Sequence, residues 1–135
     1  MSNKLARFFL LNLIGVAGVI VAGLHGWITY LWESDLTYLV TTIFIVHAIG
    51  LVCAGLEAWK HVDFITDTLV ILGLIGTVAG IIIALSGVVP SSVGDVSSIA
   101  PMVAKLIVGL KVAAHTTLVG MIGYLWLGTN RHLLS

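Results

Sequence analysis

Lys111 and His115 stand four residues apart in the apolar stretch MVAKLIVGLKVAAHTTLVGMIGYLWL, residues 102–127, and Thr116 and Thr117 follow directly. His47 occupies the middle of a second apolar stretch and Thr77 that of a third. An ionisable group inside a bilayer costs at least ~2.5 kcal/mol, so each is a candidate for ion movement or ligand binding. Lys111 and His115 share one helical face, roughly opposite that of Ala113 and Thr117. That face suits a neighbouring subunit, water or an acid on a partner. The competing use of Lys111 is pairing with Asp95 or a lipid phosphate, and that of His115 is hydrogen-bonded packing. A threonine hydroxyl bonds water or coordinates a dehydrated ion without holding a permanent charge. Its commoner use in a helix is to donate to a carbonyl of the preceding turn. His47 and His115, both at mid-stretch, offer a different chemistry: two axial imidazoles for a b-type haem.

The elements that carry these residues are membrane helices. Hydrophobic residues make up 59% of the 135-residue chain and charged residues 9%, against about 25% charged in a soluble domain. A bilayer core of ~30 Å needs roughly 20 apolar residues. Residues 8–32, 37–59, 66–88 and 102–127 meet that length, so the expectation is one all-α membrane domain over 1–135 with four transmembrane helices. Glu33–Leu36, Lys60–Ile65 and Val89–Pro101 are then the connections, with Pro101 just before a helix start. Lys4, Arg7, Lys60 and Arg131 lie at the ends and in the middle connection, which puts both termini in the cytoplasm. Lys4 and Arg7 before an apolar run also fit a signal peptide cleaved after Val21-Ala22-Gly23, but that run is longer than such segments usually are. Six basic residues balance six acidic ones, which argues against nucleic acid as a partner. Cys53 is the only cysteine, so no internal disulfide or Cys-based metal site is expected. No nucleotide-binding or hydrolase motif is present, and no enzymatic activity is expected.

Small residues recur at helical spacing. Gly73, Gly76, Gly80 and Ala84 lie in the third stretch; Gly109, Ala113, Thr117 and Gly120 lie in the fourth. Such residues let helix backbones approach closely in lipid. Thr77 and Thr117 fall within ~3–5 Å of one depth if each stretch is centred in the bilayer. Two smooth walls with hydroxyls at one depth can enclose a narrow passage or another helix. Glu57 and Asp67 fall at the cytoplasmic edge, so the chain is expected to lack a mid-membrane carboxylate of its own.

The stretch LGLIGTVAGIIIAL, residues 72–85, resembles the G-L-x-G-T-V-x-G signature of the MotA/TolQ/ExbB proton-channel superfamily. GLKVAAHTTLVGMIGYL, residues 109–125, resembles the helix that follows it there. The similarity covers about 66–130. It implies an inner-membrane, multi-pass subunit of a stator-like complex, a homo-oligomer typically of five copies around the helices of a single-span MotB/TolR/ExbD-like partner dimer. That partner carries an embedded Asp. Thr77 and Thr117 then match the threonines of the ion path, taking protons or sodium, and Gly73, Gly76, Gly80 and Gly120 match packing glycines. Lys111, His115 and Thr116 are further candidates for the path or a subunit contact. The chain departs from the pattern in two places. Only EAWKHVDFITD stands where the family has a large cytoplasmic domain, and Val112 stands where some members have an acid. No cofactor or metal is implied. A haem-binding electron-transfer subunit and a structural or pore-forming oligomer are the alternatives.

Overall fold

The computed structural model describes residues 2–33, 35, 37–88 and 96–134. Five helices follow one another, with no strand among the described residues: α1 (Ser2–Leu24), α2 (Trp27–Glu33), α3 (Leu39–Gly55), α4 (Trp59–Leu85) and α5 (Val96–Leu134). Lys4–Leu24 of α1, all of α4 and Ser97–Leu134 of α5 are long and apolar enough to cross a membrane. Helices suit that setting because they satisfy their own backbone polar groups. The 17 residues of α3 span about 25 Å, slightly less than a hydrocarbon core. The chain is an all-helical protein of membrane type.

Its boundaries differ from those expected, each for a local reason. The first stretch, 8–32, is not one helix: it breaks at His25–Gly26, where Gly26 takes a φ of +74° that glycine adopts without steric cost. The second stops at Gly55. Ala58 N–H donates to the Cys53 carbonyl at 2.9 Å and Glu57 N–H to Ala54 at 3.1 Å. This is a Schellman termination, with Glu57 at φ 56° in the position glycine usually takes. The expected connection Lys60–Ile65 is helical, because α4 restarts at once from Trp59. Pro101 lies inside α5 in its second turn, where its missing N–H forgoes only the bond to the Ser97 carbonyl. The helix therefore starts at Val96, six residues earlier than the proline suggested. Residues 89–95 of the expected loop, including Asp95, lie outside the described residues.

The start of α3 is held by Asp35. Its carboxylate accepts from Val40 N–H at 3.3 Å, Thr41 N–H at 2.8 Å and the Thr41 hydroxyl at 2.7 Å, occupying N–H groups that a helix start leaves unpaired. α3 packs across α4 and α5 through Val40, Ile43, Leu69, Val119 and Leu127. Gly50 lies under Leu127 and Ile65, and the His47 ring lies beside Trp126, with centroids 5.0 Å apart. A Cβ at Gly123 would come within 3.3 Å of His47 Nδ1 and 3.1 Å of Leu69. The middle of α3 is therefore level with Gly123–Trp126.

α1 joins this group along one edge only. None of the residues in its most apolar stretch is buried. Gly15 receives the Trp126 indole, and Asn12 sits in a polar cluster. Its amide donates to Asn130 at 3.0 Å and to the Phe8 carbonyl at 2.8 Å, while its oxygen accepts from Trp126 Nε1 at 2.9 Å. Asn130 is fully buried and donates to the Trp126 carbonyl at 3.0 Å. Replacing Asn12 by Leu strands both the indole N–H and the Asn130 oxygen. The expected loss is about 1–3 kcal/mol, read as an earlier midpoint in SDS unfolding. Adding Asn130→Leu is expected to restore part of it, and equal midpoints for wild type and Asn12→Leu would show that the cluster does not hold α1.

Candidate functional site: the α4–α5 seam

The two small-residue faces meet each other. Gly73 approaches the Thr116 carbonyl, Thr117 Cα and Gly120 Cα, with 3.3–3.7 Å to the position a Cβ would take. A Cβ at Gly80 would stand 2.5 Å from the Gly109 carbonyl and 2.6 Å from Ala113 N. One at Gly120 would be 2.7 Å from the Leu69 carbonyl, and one at Gly109 would strike the backbone of Gly80 and Ala84. Backbone lies on backbone along this line, which only residues without large side chains permit. The walls are closed on one another, so no passage or foreign helix runs between them. Thr116 fills the space over Gly76. It is 1% exposed and donates to the carbonyls of Val112 at 2.9 Å and Ala113 at 3.1 Å. The structure thus places this side chain inside the α4–α5 seam of its own chain.

Thr77 and Thr117 come together at the rim of the seam. Their hydroxyl oxygens are in direct hydrogen-bond contact. Thr77 also reaches the Gly73 carbonyl at 3.0 Å, and Thr117 reaches Ala113 at 2.9 Å and Gly73 at 3.5 Å. Two hydroxyls supply two protons. If both protons serve helix carbonyls, the facing oxygens present lone pairs to each other. If one bridges the oxygens, a carbonyl loses its donor. Either way the pair retains accepting capacity for a third group.

The rim faces away from α3. Ile65 and Leu72 of α4, with Val119 and Leu127 of α5, form the α3 side. Leu74, Ile81, Leu110 and Met121 flank the threonines on the other side, and all four are exposed. Following this open face toward the C-terminal end of α5, a groove lined by Val70, Ile71, Met121 and Leu125 leads to Asp67 and Tyr124. A more polar groove of about 660 Å³ continues past Asp63, Thr66, Gly128, Arg131 and His132.

Comparison of the chain with protein-family models, curated proteins and solved structures gives no match.

The other candidates lie elsewhere. Lys111 Nζ stands 3.9 Å from the centre of the Tyr30 ring, a cation–π contact. His115 meets the same ring edge-on at 5.4 Å. Both point toward α2, away from the threonine pair. His47 and His115 are not brought together: His47 is level with Gly123, eight residues and ~12 Å along α5 from His115. One chain thus does not supply two axial imidazoles to one iron. Among the described residues, no three His, Cys, Asp or Glu side chains gather as metal ligands. Tyr30, Asn12 and Asn130 were not singled out by the sequence. Asparagines within apolar helices were the available signal.

Proposed function

We propose that the chain is the ion-path subunit of a stator-like membrane complex, with ions passing the Thr77–Thr117 pair to a carboxylate on a partner helix. The observation that carries this reading is the pair itself. Two hydroxyls from different helices meet on the open rim of a glycine-packed seam, in the two segments that resemble the superfamily. In this reading α3 is the second of four spans, both termini are cytoplasmic, and the membrane is a bacterial inner membrane. Several copies, five by the resemblance, turn their open α4–α5 faces inward around a single-span partner dimer with an embedded Asp. Protons are the favoured ion because two neutral hydroxyls can relay a proton through hydrogen bonds. No covalent chemistry is proposed.

Native mass spectrometry of the tagged protein, gently extracted from its own membrane, tests this assembly. The expected result is a ring of about five copies retaining one or two single-span proteins with a membrane-embedded Asp. A ring without any partner would favour a structural or pore-forming oligomer. That second reading has its own support, since each threonine also satisfies a carbonyl of its own helix.

A further inference from the structure

The contacts between helices fix their relative depths, and those depths move Asp67. His47, the central residue of α3, is level with Gly123. Asn12 bonds Asn130 and Gly15 meets Trp126, which brings the middle of α1's charge-free run 8–24 to nearly the same level. Across the seam, Gly120 abuts Leu69, and Asp67 shares its groove with Tyr124. Asp67 is therefore level with the middles of α1 and α3. Counted along α4 alone, it lies ten residues, ~15 Å, inward of Thr77 and would sit at the membrane boundary. In the four-span reading, on which this step rests, one bilayer holds α1, α3, α4 and α5, so its midplane falls between these two frames and Asp67 lies inside the hydrocarbon.

The side chain is exposed on the open face. Toward the outer side the groove is apolar, with Val70, Ile71, Met121 and Leu125; toward the inner side it is polar. The titratable and charged groups around it are Tyr124, Arg131 and His132 of α5 and Asp63, one turn inward on α4. Arg131 is engaged by Asp63 at 2.7 Å, and no ion pair reaches Asp67 among the described residues. A charged carboxylate within the hydrocarbon is costly, and protonation removes that charge.

We infer that Asp67 is a proton-binding carboxylate of this chain, held within the membrane where the polar inner groove meets the apolar face of α4–α5. Protons reach it from the inner side past Asp63, Arg131 and His132. Asp67 holds this role whether or not Thr77 and Thr117 conduct, so the two assignments fail separately.

The test is carbodiimide labelling of the full chain in its own membranes, with the modified acid located by peptide mass. The membrane-soluble reagent dicyclohexylcarbodiimide is compared with a water-soluble carbodiimide, and Asp67→Asn and Asp63→Asn serve as assignment controls. The expected result is an adduct at Asp67 with the membrane-soluble reagent, about tenfold above the water-soluble one. Equal labelling by both reagents would place Asp67 in water, and labelling confined to Asp63 or Glu57, or absent, would remove the proton-binding role. Either result overturns the inference.

Discussion

Gly80→Ala is expected to unseat α4 from α5, whereas Gly18→Ala leaves the fold intact. Both changes add one methyl group to a helix, and on an open helix that methyl is favourable by about 1 kcal/mol. At Gly18 nothing lies within 4 Å of the new atom, so the helical gain is all that remains. At Gly80 the methyl meets the Gly109 carbonyl at 2.5 Å and Ala113 N at 2.6 Å, and neither backbone group can rotate aside. Overpacking a close-fitted interior costs about 1–3 kcal/mol, and here relief requires one helix to move as a whole. Gly80→Leu is expected to prevent the seam from forming. Thermal unfolding in mild detergent, followed by near-ultraviolet circular dichroism, checks this. Gly80→Ala should melt well below wild type and Gly18→Ala at or slightly above it; coincident melts for the two variants would mean the seam does not hold α4 to α5.

The seam was legible in the sequence because helix periodicity is strict. Gly73, Gly76, Gly80, Gly109, Ala113 and Gly120 fall on two faces by counting alone, and counting also gives Thr77 and Thr117 one depth. What counting does not contain is the offset between helices. Centring each apolar stretch in the bilayer assumes that all share a midplane. The Asn12–Asn130 and His47–Trp126 contacts instead shift α1 and α3 toward the C-terminal end of α5. This offset separates His47 from His115 and carries Asp67 from the edge into the interior. The helix boundaries were lost for a related reason. Composition marks where apolar residues begin, but Trp59–Ile65 and Val96–Pro101 are helical outside that apolar signal. The turn at Glu57 was also hidden, since a glutamate stands where a glycine would have announced it.

The offset also gives the open face a sense of direction. From the C-terminal end of α5 it runs from Asp63, Arg131 and His132 to Asp67 and Tyr124, then to the apolar groove and the threonine pair. Lys111 and His115 are engaged with Tyr30 on the other side of α5, so they serve the joint between α2 and α5. The open face therefore alternates polar groups with apolar intervals. The ~15 Å between Asp67 and Thr77 exceeds any single hydrogen-bonded step, so the proposed ion path calls for a second protein surface across the apolar interval.

Thr77→Val tests the centre of that path most sharply. Valine keeps the branched shape of threonine and puts a methyl group where the hydroxyl was, against the Thr117 hydroxyl, so the side chain changes while the glycines of the seam do not. The lost bonds are those to the Gly73 carbonyl and to Thr117, and Thr117 keeps its bond to Ala113 at 2.9 Å. Hydrogen bonds between membrane helices average about 0.6 kcal/mol, so folding and assembly should change little. Partner-dependent proton flux into vesicles should nevertheless fall about tenfold or more, as it does when a barrier loses ~1.4 kcal/mol of stabilisation. Thr77→Ser restores the hydroxyl and should recover most of the flux. The serine variant separates the two uses of this residue: a packing role depends on the methyl group and an ion-path role on the oxygen. Flux retained by valine and lost by serine would assign Thr77 to packing alone.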